Sequence, residues 1–311
     1  MKYTLQNYNL IKDYITKTPI ISNEEINFDL GGDFFFKCEN LQKTGSFKYR
    51  GAIHSLLKLD KSLRRKGVVT VSSGNHGAAL AKAGKVLNIK VHVIVPKNII
   101  NSKLENIRQY SPEIIFSEPG TEGREKALKR FFSDHKSLFI PPYNHLDIIF
   151  GQASSAYELI QDIPCLDYLI VPVGGGGLAS GSILAFKEFS PDTKIIGAEP
   201  TNADDAYQSL INGKLIPQIN PNTICDGLKT SLGDLTFPII KDGLEEIILV
   251  SEQEIISAMK SLHQKLKILI EPSSATVYAA VIKNINKFKN KKTGLILSGG
   301  NLDLEKFYGN N

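Results

Sequence analysis

From Gly67 onward the chain alternates short apolar runs with longer stretches whose apolar residues recur every three to four positions. Val68-Val69-Thr70-Val71 reads as a strand, residues 76–88 as a helix, and residues 91–95, stopped by Pro96, as a second strand. The rhythm continues through a polar helix over 101–109, a strand at 113–116, a charged helix over 122–132 and a short strand at 138–140. A second series follows: a helix over 146–163, a strand over 166–173, four glycines, a helix over 179–189 and a strand over 194–199. After a less regular stretch come a strand at 247–250, helices over 252–266 and 274–286, and a strand starting at Thr293. GGDFFFKCEN adds a strand before all of these.

Strand, helix and strand in repetition imply parallel sheets covered by helices on both faces, so the fold class is α/β. The length of 311 residues exceeds what one core usually serves. We therefore expect two lobes of open sheet: residues 1–45 and 145–311 in a large domain, 46–144 in a small one, and the active site between them. No clean internal repeat is visible.

Composition narrows the class without choosing a function. With 42% hydrophobic and 22% charged residues, this is an ordinary globular chain. The net charge of +5 is mild, and its densest patches, at 64–66 and 283–292, accompany no nucleic-acid motif, so no nucleic-acid partner is expected. Cys38, Cys165 and Cys225 are far apart and form no CxxC, which argues against a disulfide framework or a thiolate zinc site and for a reducing compartment, the cytoplasm. No apolar run reaches membrane-spanning length, so no membrane partner is expected.

Several loops carry groups that could do chemistry. Gly174-Gly175-Gly176-Gly177 joins a strand to a helix, where successive N–H groups and the positive helix end suit a phosphate. It matches neither GxGxxG nor GxxxxGK[ST], so common nucleotide folds lose ground; the alternative is a tight structural turn. Ser72-Ser73-Gly74-Asn75-His76-Gly77 offers a second anion nest, or only a helix cap. Ser298-Gly299-Gly300-Asn301 ends the last apolar run, where open α/β sheets present ligand groups. Glu199, with Asp204 and Asp205 close behind, suits a hard cation or a solvated acidic loop. Thr44-Gly45-Ser46-Phe47-Lys48-Tyr49-Arg50-Gly51 could bind an anion, expose a lysine or begin a solvated helix. Lys48 becomes a nucleophile toward an aldehyde cofactor only if its amine is neutral often enough, and Arg50 and Lys43 could lower its pKa.

The ordered set KCENLQKTGSFKYRGA, SSGNHGAALA, VPVGGGGLASG, GAEPTNADD and LSGGN resembles the serine racemase and serine/threonine dehydratase family. These are pyridoxal-phosphate enzymes of fold type II, in the tryptophan synthase beta-like superfamily. The resemblance implies pyridoxal 5'-phosphate held by Lys48 as Schiff-base lysine, with Phe47 beside the ring, Asn75 on its 3-oxygen, Gly174, Gly175, Gly176 and Gly177 around the phosphate, and Ser298 facing the ring nitrogen. It implies that Ser72, Ser73, Asn75 and His76 receive the substrate carboxylate, that Ser73 serves the face opposite Lys48, and that Arg124 and Asn144 approach the substrate. It implies a divalent cation, Mg2+ or Ca2+, on Glu199, the Ala203 carbonyl and Asp205, and a homodimer.

The activity implied is loss of ammonia from small hydroxy amino acids, L-serine or L-threonine, giving pyruvate or 2-oxobutyrate. Serine racemization is the close alternative; a β-replacement enzyme and a non-catalytic amino-acid sensor are the others. The chain departs from the family in Ala78, where glutamine commonly follows GNHG, in Ala153-Ser154, where the family has GT after Gly151-Gln152, and in Ser274, where many dehydratases carry glycine.

Overall fold

The computed structural model describes residues 2–303. Ten strands form two sheets: β1 (Ile20–Ile21), β2 (Asp33–Cys38), β3 (Val68–Val71), β4 (Val91–Pro96), β5 (Glu113–Ser117), β6 (Leu138–Phe139), β7 (Tyr168–Pro172), β8 (Lys194–Pro200), β9 (Glu246–Val250) and β10 (Lys292–Leu297). The larger sheet runs β1-β2-β10-β7-β8-β9 and the smaller β5-β4-β3-β6. Every pairing is parallel except β1 with β2.

Alternation along the strands explains why helices cover both faces. In β10, Leu295 and Leu297 enter one core while Ile296 enters another; in β7, Ile170 joins the first and Leu169 and Val171 the second. The smaller sheet divides in the same way, with Val68, Val91, Val93 and Val95 in one cluster and Val69 and Ile94 in another. Side chains of period two on a sheet buried from both sides demand two apolar layers, and the intervening helices supply them.

The elements expected from periodicity are present, most with ends shifted by one or two residues. Helices at Leu5–Ile11, Glu24–Leu30, Asp205–Asn212 and Thr236–Gly243 were not legible; each is only seven or eight residues long. The Lys48–Lys58 helix is a more instructive difference. It is not solvated: Tyr49 through Leu56 are all buried, including Arg50 and His54. A helix covered on all sides has no polar stripe to reveal its period.

This helix crosses the Leu146–Asp162 helix at two glycines. A Cβ on Gly51 would meet the Gln152 side chain, and one on Gly151 would come within 2.5 Å of Arg50 and Gly51 backbone atoms. The backbone approach therefore depends on glycine, and Gln152 closes it by accepting the Gly51 N–H at 3.1 Å. Among the described residues, no helix is long and apolar enough to cross a membrane.

Candidate active site

Lys48 opens its helix directly after a short crossing segment pinned to the end of β10. Ser46 bridges Gly299, and the Phe47 N–H donates to the Ser298 carbonyl at 3.0 Å. The half-buried Lys48 amine donates to the Pro142 carbonyl at 2.8 Å and lies 5.1 Å from the Phe47 ring centroid. Burial lowers its pKa to about 8, with Glu271 opposing the shift. Its place at a helix N-terminus disfavours the cation as well. An amine near 8 is neutral often enough at neutral pH to attack a carbonyl.

The Pro142 contact leads to the glycine turn. Tyr143 packs its ring where a Cβ on Gly175 would lie, and a Cβ on Gly177 would meet Tyr143 at 2.9 Å. Gly176 has φ +83°, and a Cβ there would meet Ile240 at 2.7 Å, so both conformation and space exclude side chains. Thr236 braces the turn by donating to the Gly175 carbonyl at 3.0 Å. The N–H groups of Gly174, Gly175 and Gly176 have no acceptor among the described residues, although all three glycines are buried at the start of the Gly177–Phe189 helix. Such donors at a positive helix end fit a phosphate.

Asn75 begins the Asn75–Leu87 helix and faces the end of β10. Its amide donates to both oxygens of Glu271, at 3.1 and 3.0 Å, and its carbonyl oxygen accepts from Asn301 at 2.8 Å. Asn301 also donates to the Thr44 carbonyl at 2.8 Å. Thr44, Asn75 and Asn301, far apart in sequence, thus share one network. Burial pushes the Glu271 carboxyl up to about 7, against the pull of Asn75.

Ser298 is buried beside Ser274. Their hydroxyl oxygens lie 3.1 Å apart, while the Ser274 hydroxyl donates to the Gly299 carbonyl at 2.6 Å and accepts the Gly299 N–H at 2.7 Å. In the SSGNHG loop, the Ser72 hydroxyl accepts the Gly74 N–H at 3.4 Å, and the Ser73 hydroxyl makes no hydrogen bond to a described residue. His76 is buried with Nε2 3.1 Å from the Ile140 carbonyl, so Nε2 carries the proton. Burial and then Lys48 lower its pKa to about 3, keeping the ring neutral.

Behind Lys48 lies a fully buried set of charges. Arg50 donates to Glu39 at 2.7 and 2.8 Å and to Glu158 at 2.8 and 2.7 Å, and Lys37 donates to Glu158 at 2.7 Å. Burial opposes the Glu158 charge, but Arg50 and Lys37 hold its pKa below the usual range. Two cations and two anions balance, and they tie the Lys48 helix to β2 and to the Leu146–Asp162 helix.

The remaining expected residues are less centrally connected. Arg124 is exposed and donates to the Gly120 carbonyl of its own helix; no hydrogen bond or ion pair links it to the groups above among the described residues. Asn144 clamps the turn at Asp234 and Leu235, donating to the former at 2.6 Å and accepting from the latter at 3.0 Å. Glu199 is fully buried and caps the Asp205–Asn212 helix by accepting the Ala206 and Tyr207 N–H groups at 3.0 and 2.9 Å. Asp205 accepts the Leu232 N–H at 3.2 Å, while its second oxygen is buried without a partner. Among the described residues, no group of three or more His, Cys, Asp or Glu side chains could hold a metal. Glu199 and Asp205 would leave a cation two side-chain carboxylates, and the orphaned Asp205 oxygen is the one with no protein partner.

Sequence reasoning gave no role to Glu271, and it expected Arg50 and Lys43 to lower the Lys48 pKa; instead burial lowers it, while Arg50 is taken up by Glu39 and Glu158 and Lys43 by the Tyr14 carbonyl. Glu271 stands in an EPS tripeptide at a helix start, and its signal was only an acidic N-terminal residue. Arg50, Glu39, Lys37 and Glu158 look like ordinary surface charges until folding removes their water.

The model of the family described as pyridoxal-phosphate dependent enzyme matches residues 11–299. A serine racemase of Dictyostelium discoideum is 46% identical over 308 residues, covering 98% of this chain and 95% of that protein. An L-threo-3-hydroxyaspartate ammonia-lyase of Saccharomyces cerevisiae is 40% identical over 300 residues, covering 96% and 92%. The crystal structure of a threonine deaminase of T.th. superposes with a TM-score of 0.91 at 34% identity, covering 96% of this chain and 97% of that one.

Proposed function

The chain belongs to the pyridoxal-phosphate dependent enzyme family, and from that premise we propose that it removes ammonia from small L-hydroxy amino acids and racemizes serine in the same site. L-Serine gives pyruvate and ammonia, L-threonine gives 2-oxobutyrate and ammonia, and inversion at the α-carbon gives D-serine. The observation that carries the reading is the assembly of Lys48, the glycine turn, Asn75 and Ser298 around one site through Pro142, Tyr143 and the end of β10.

Bound pyridoxal phosphate would supply a carbonyl for Lys48 and an electron sink for charge left at the substrate α-carbon. The N–H groups of the glycine turn and the positive end of the following helix hold its phosphate. Phe47, Asn75 and Ser298 would hold its ring, with the Asn75 amide giving up a contact to Glu271 to do so. Lys48 Nζ, its pKa lowered to about 8 by burial, would be the group that takes up the α-proton. Ser72, Ser73, Asn75 and His76 receive the substrate carboxylate. The unengaged Ser73 hydroxyl supports the racemase reading, because inversion needs a proton donor on the second face. Arg124 and Asn144 belong to the substrate side.

The reading also includes Mg2+ or Ca2+ at Glu199, Asp205 and the Ala203 carbonyl, a homodimer and a cytoplasmic location. The free, widely spaced cysteines support the last. The decisive experiment incubates cofactor-loaded protein with L-serine and with L-threonine and measures keto acid, ammonia and D-serine. Folded, loaded protein that forms none of these refutes the function; Ser73→Ala should remove D-serine while leaving keto acid formation the less affected.

A further inference from the structure

Thr236 opens the Thr236–Gly243 helix and is fully buried beside the glycine turn. Its hydroxyl oxygen accepts the Gly233 N–H at 2.8 Å, which uses a lone pair and leaves the single proton to donate. Two carbonyl oxygens lie within reach, Gly175 at 3.0 Å and Gly233 at 3.3 Å. The Gly233 carbonyl already accepts the Phe237 N–H at 2.9 Å, whereas the Gly175 carbonyl has no other donor among the described residues. The Thr236 proton is therefore committed to Gly175. The segment that carries Thr236 is itself anchored: Asp205 accepts the Leu232 N–H at 3.2 Å, and Asn144 accepts the Leu235 N–H at 3.0 Å.

A trans peptide unit is planar, with its C=O and N–H pointing in opposite directions. Holding the Gly175 carbonyl toward Thr236 thus aims the Gly176 N–H the other way, and that N–H has no acceptor among the described residues. The peptide lies between two glycines, the second at φ +83°, so the backbone alone does little to stop it turning over. We propose that Thr236 is a positioning residue for the cofactor phosphate: its hydroxyl holds the Gly175–Gly176 peptide in the one orientation that presents an N–H to the anion. This rests on the reading that the glycine turn receives that phosphate. Without the hydroxyl the peptide is free to turn over and set its carbonyl oxygen, a partial negative charge, where the anion needs a donor. The loss falls on the phosphate and not on the rest of the cofactor.

The test titrates the full-length apoprotein with pyridoxal phosphate and with pyridoxal, which lacks the phosphate, for wild type, Thr236→Val and Thr236→Ser. Valine keeps the shape and removes the hydroxyl, so affinity for pyridoxal phosphate should fall at least about tenfold, the loss of one hydrogen bond to a charged group. Affinity for pyridoxal should change less than about threefold, and serine should restore the wild-type preference between the two ligands. Equal losses for both ligands, unchanged affinity for pyridoxal phosphate, or a serine variant that behaves like valine overturns the proposal. A second measurement covers a valine chain that does not fold: in wild type with nitrogen-15 glycine, inorganic phosphate should move the Gly176 amide signal, and an unmoved signal overturns the proposal. Wild type that binds pyridoxal as tightly as pyridoxal phosphate removes the phosphate from the glycine turn and the proposal with it, while amino-acid turnover is judged independently by its products.

Discussion

Replacing Arg50 with methionine isolates the contribution of the buried charge set. The guanidinium makes four contacts of 2.7–2.8 Å with the carboxylates of Glu39 and Glu158. Arg50, Glu39, Lys37 and Glu158 are each 0–1% exposed, and their formal charges sum to zero. After Arg50→Met, Lys37 still holds Glu158, but Glu39 keeps only the Thr18 hydroxyl at 2.6 Å as a side-chain partner from this set. One buried negative charge is then uncompensated, which costs about 3–5 kcal/mol. Urea unfolding followed by far-ultraviolet circular dichroism reads the loss; the chain has no Trp for a simple fluorescence assay. Arg50→Met with Glu39→Gln removes both charges and should recover at least half of the lost stability, because the penalty is an unpaired charge rather than lost packing. A single variant within about 1 kcal/mol of wild type, or a double variant no better than the single, refutes this account. Cofactor affinity should fall with stability, since Arg50 lies one position after Tyr49 in the helix that Lys48 begins.

Three further outcomes follow from the geometry. Gly175→Ala places a methyl against the Tyr143 ring and should weaken cofactor binding at least about tenfold, a loss of roughly 1.4 kcal/mol, in an equilibrium titration of the apoprotein. The Glu271 carboxyl, raised from 4.5 to about 7, contributes stability that is present below pH 4.5 and lost as pH rises through 7. Apoprotein melting should therefore decline over that window, and Glu271→Gln should flatten the decline, by about 3 kcal/mol at most. Asp226→Asn removes the carboxylate that pairs with both Lys103 and Lys229, all of them partly exposed; global stability, read by thermal melting, should change by less than about 1 kcal/mol.

The parallel sheets were legible because near-continuous apolar runs at 68–71, 91–96 and 292–297, separated by helical stretches, need burial on both faces. The short helices at Asp205–Asn212 and Thr236–Gly243 were not, because two turns carry too few apolar repeats to distinguish a helix from an irregular loop. In the site, the local text left Lys48, Asn75, the glycines and Ser298 open between binding groups and plain turns, and the order of their motifs along the chain, resembling a known family, carried them. Glu271 has nothing unusual in its own neighbourhood, and Asn301 stood only as the end of the motif that carried Ser298. Their importance comes from meeting Asn75 across 196 and 226 residues of chain.

By itself, the sequence determined the βαβ order and the loops where backbone donors would be exposed, because periodicity and turn chemistry are local properties, whereas Lys48 was singled out only by the resemblance of the ordered motifs to a known family. Only the tertiary structure decided that Lys48 is half-buried rather than solvated, that four charges are sealed behind it and that the Ser274 proton is already committed to Gly299. Burial and hydrogen-bond direction depend on which distant atoms share a space from which water has been removed. In that space a lysine pKa falls, a glutamate pKa rises, and a single hydroxyl proton has one direction left to point.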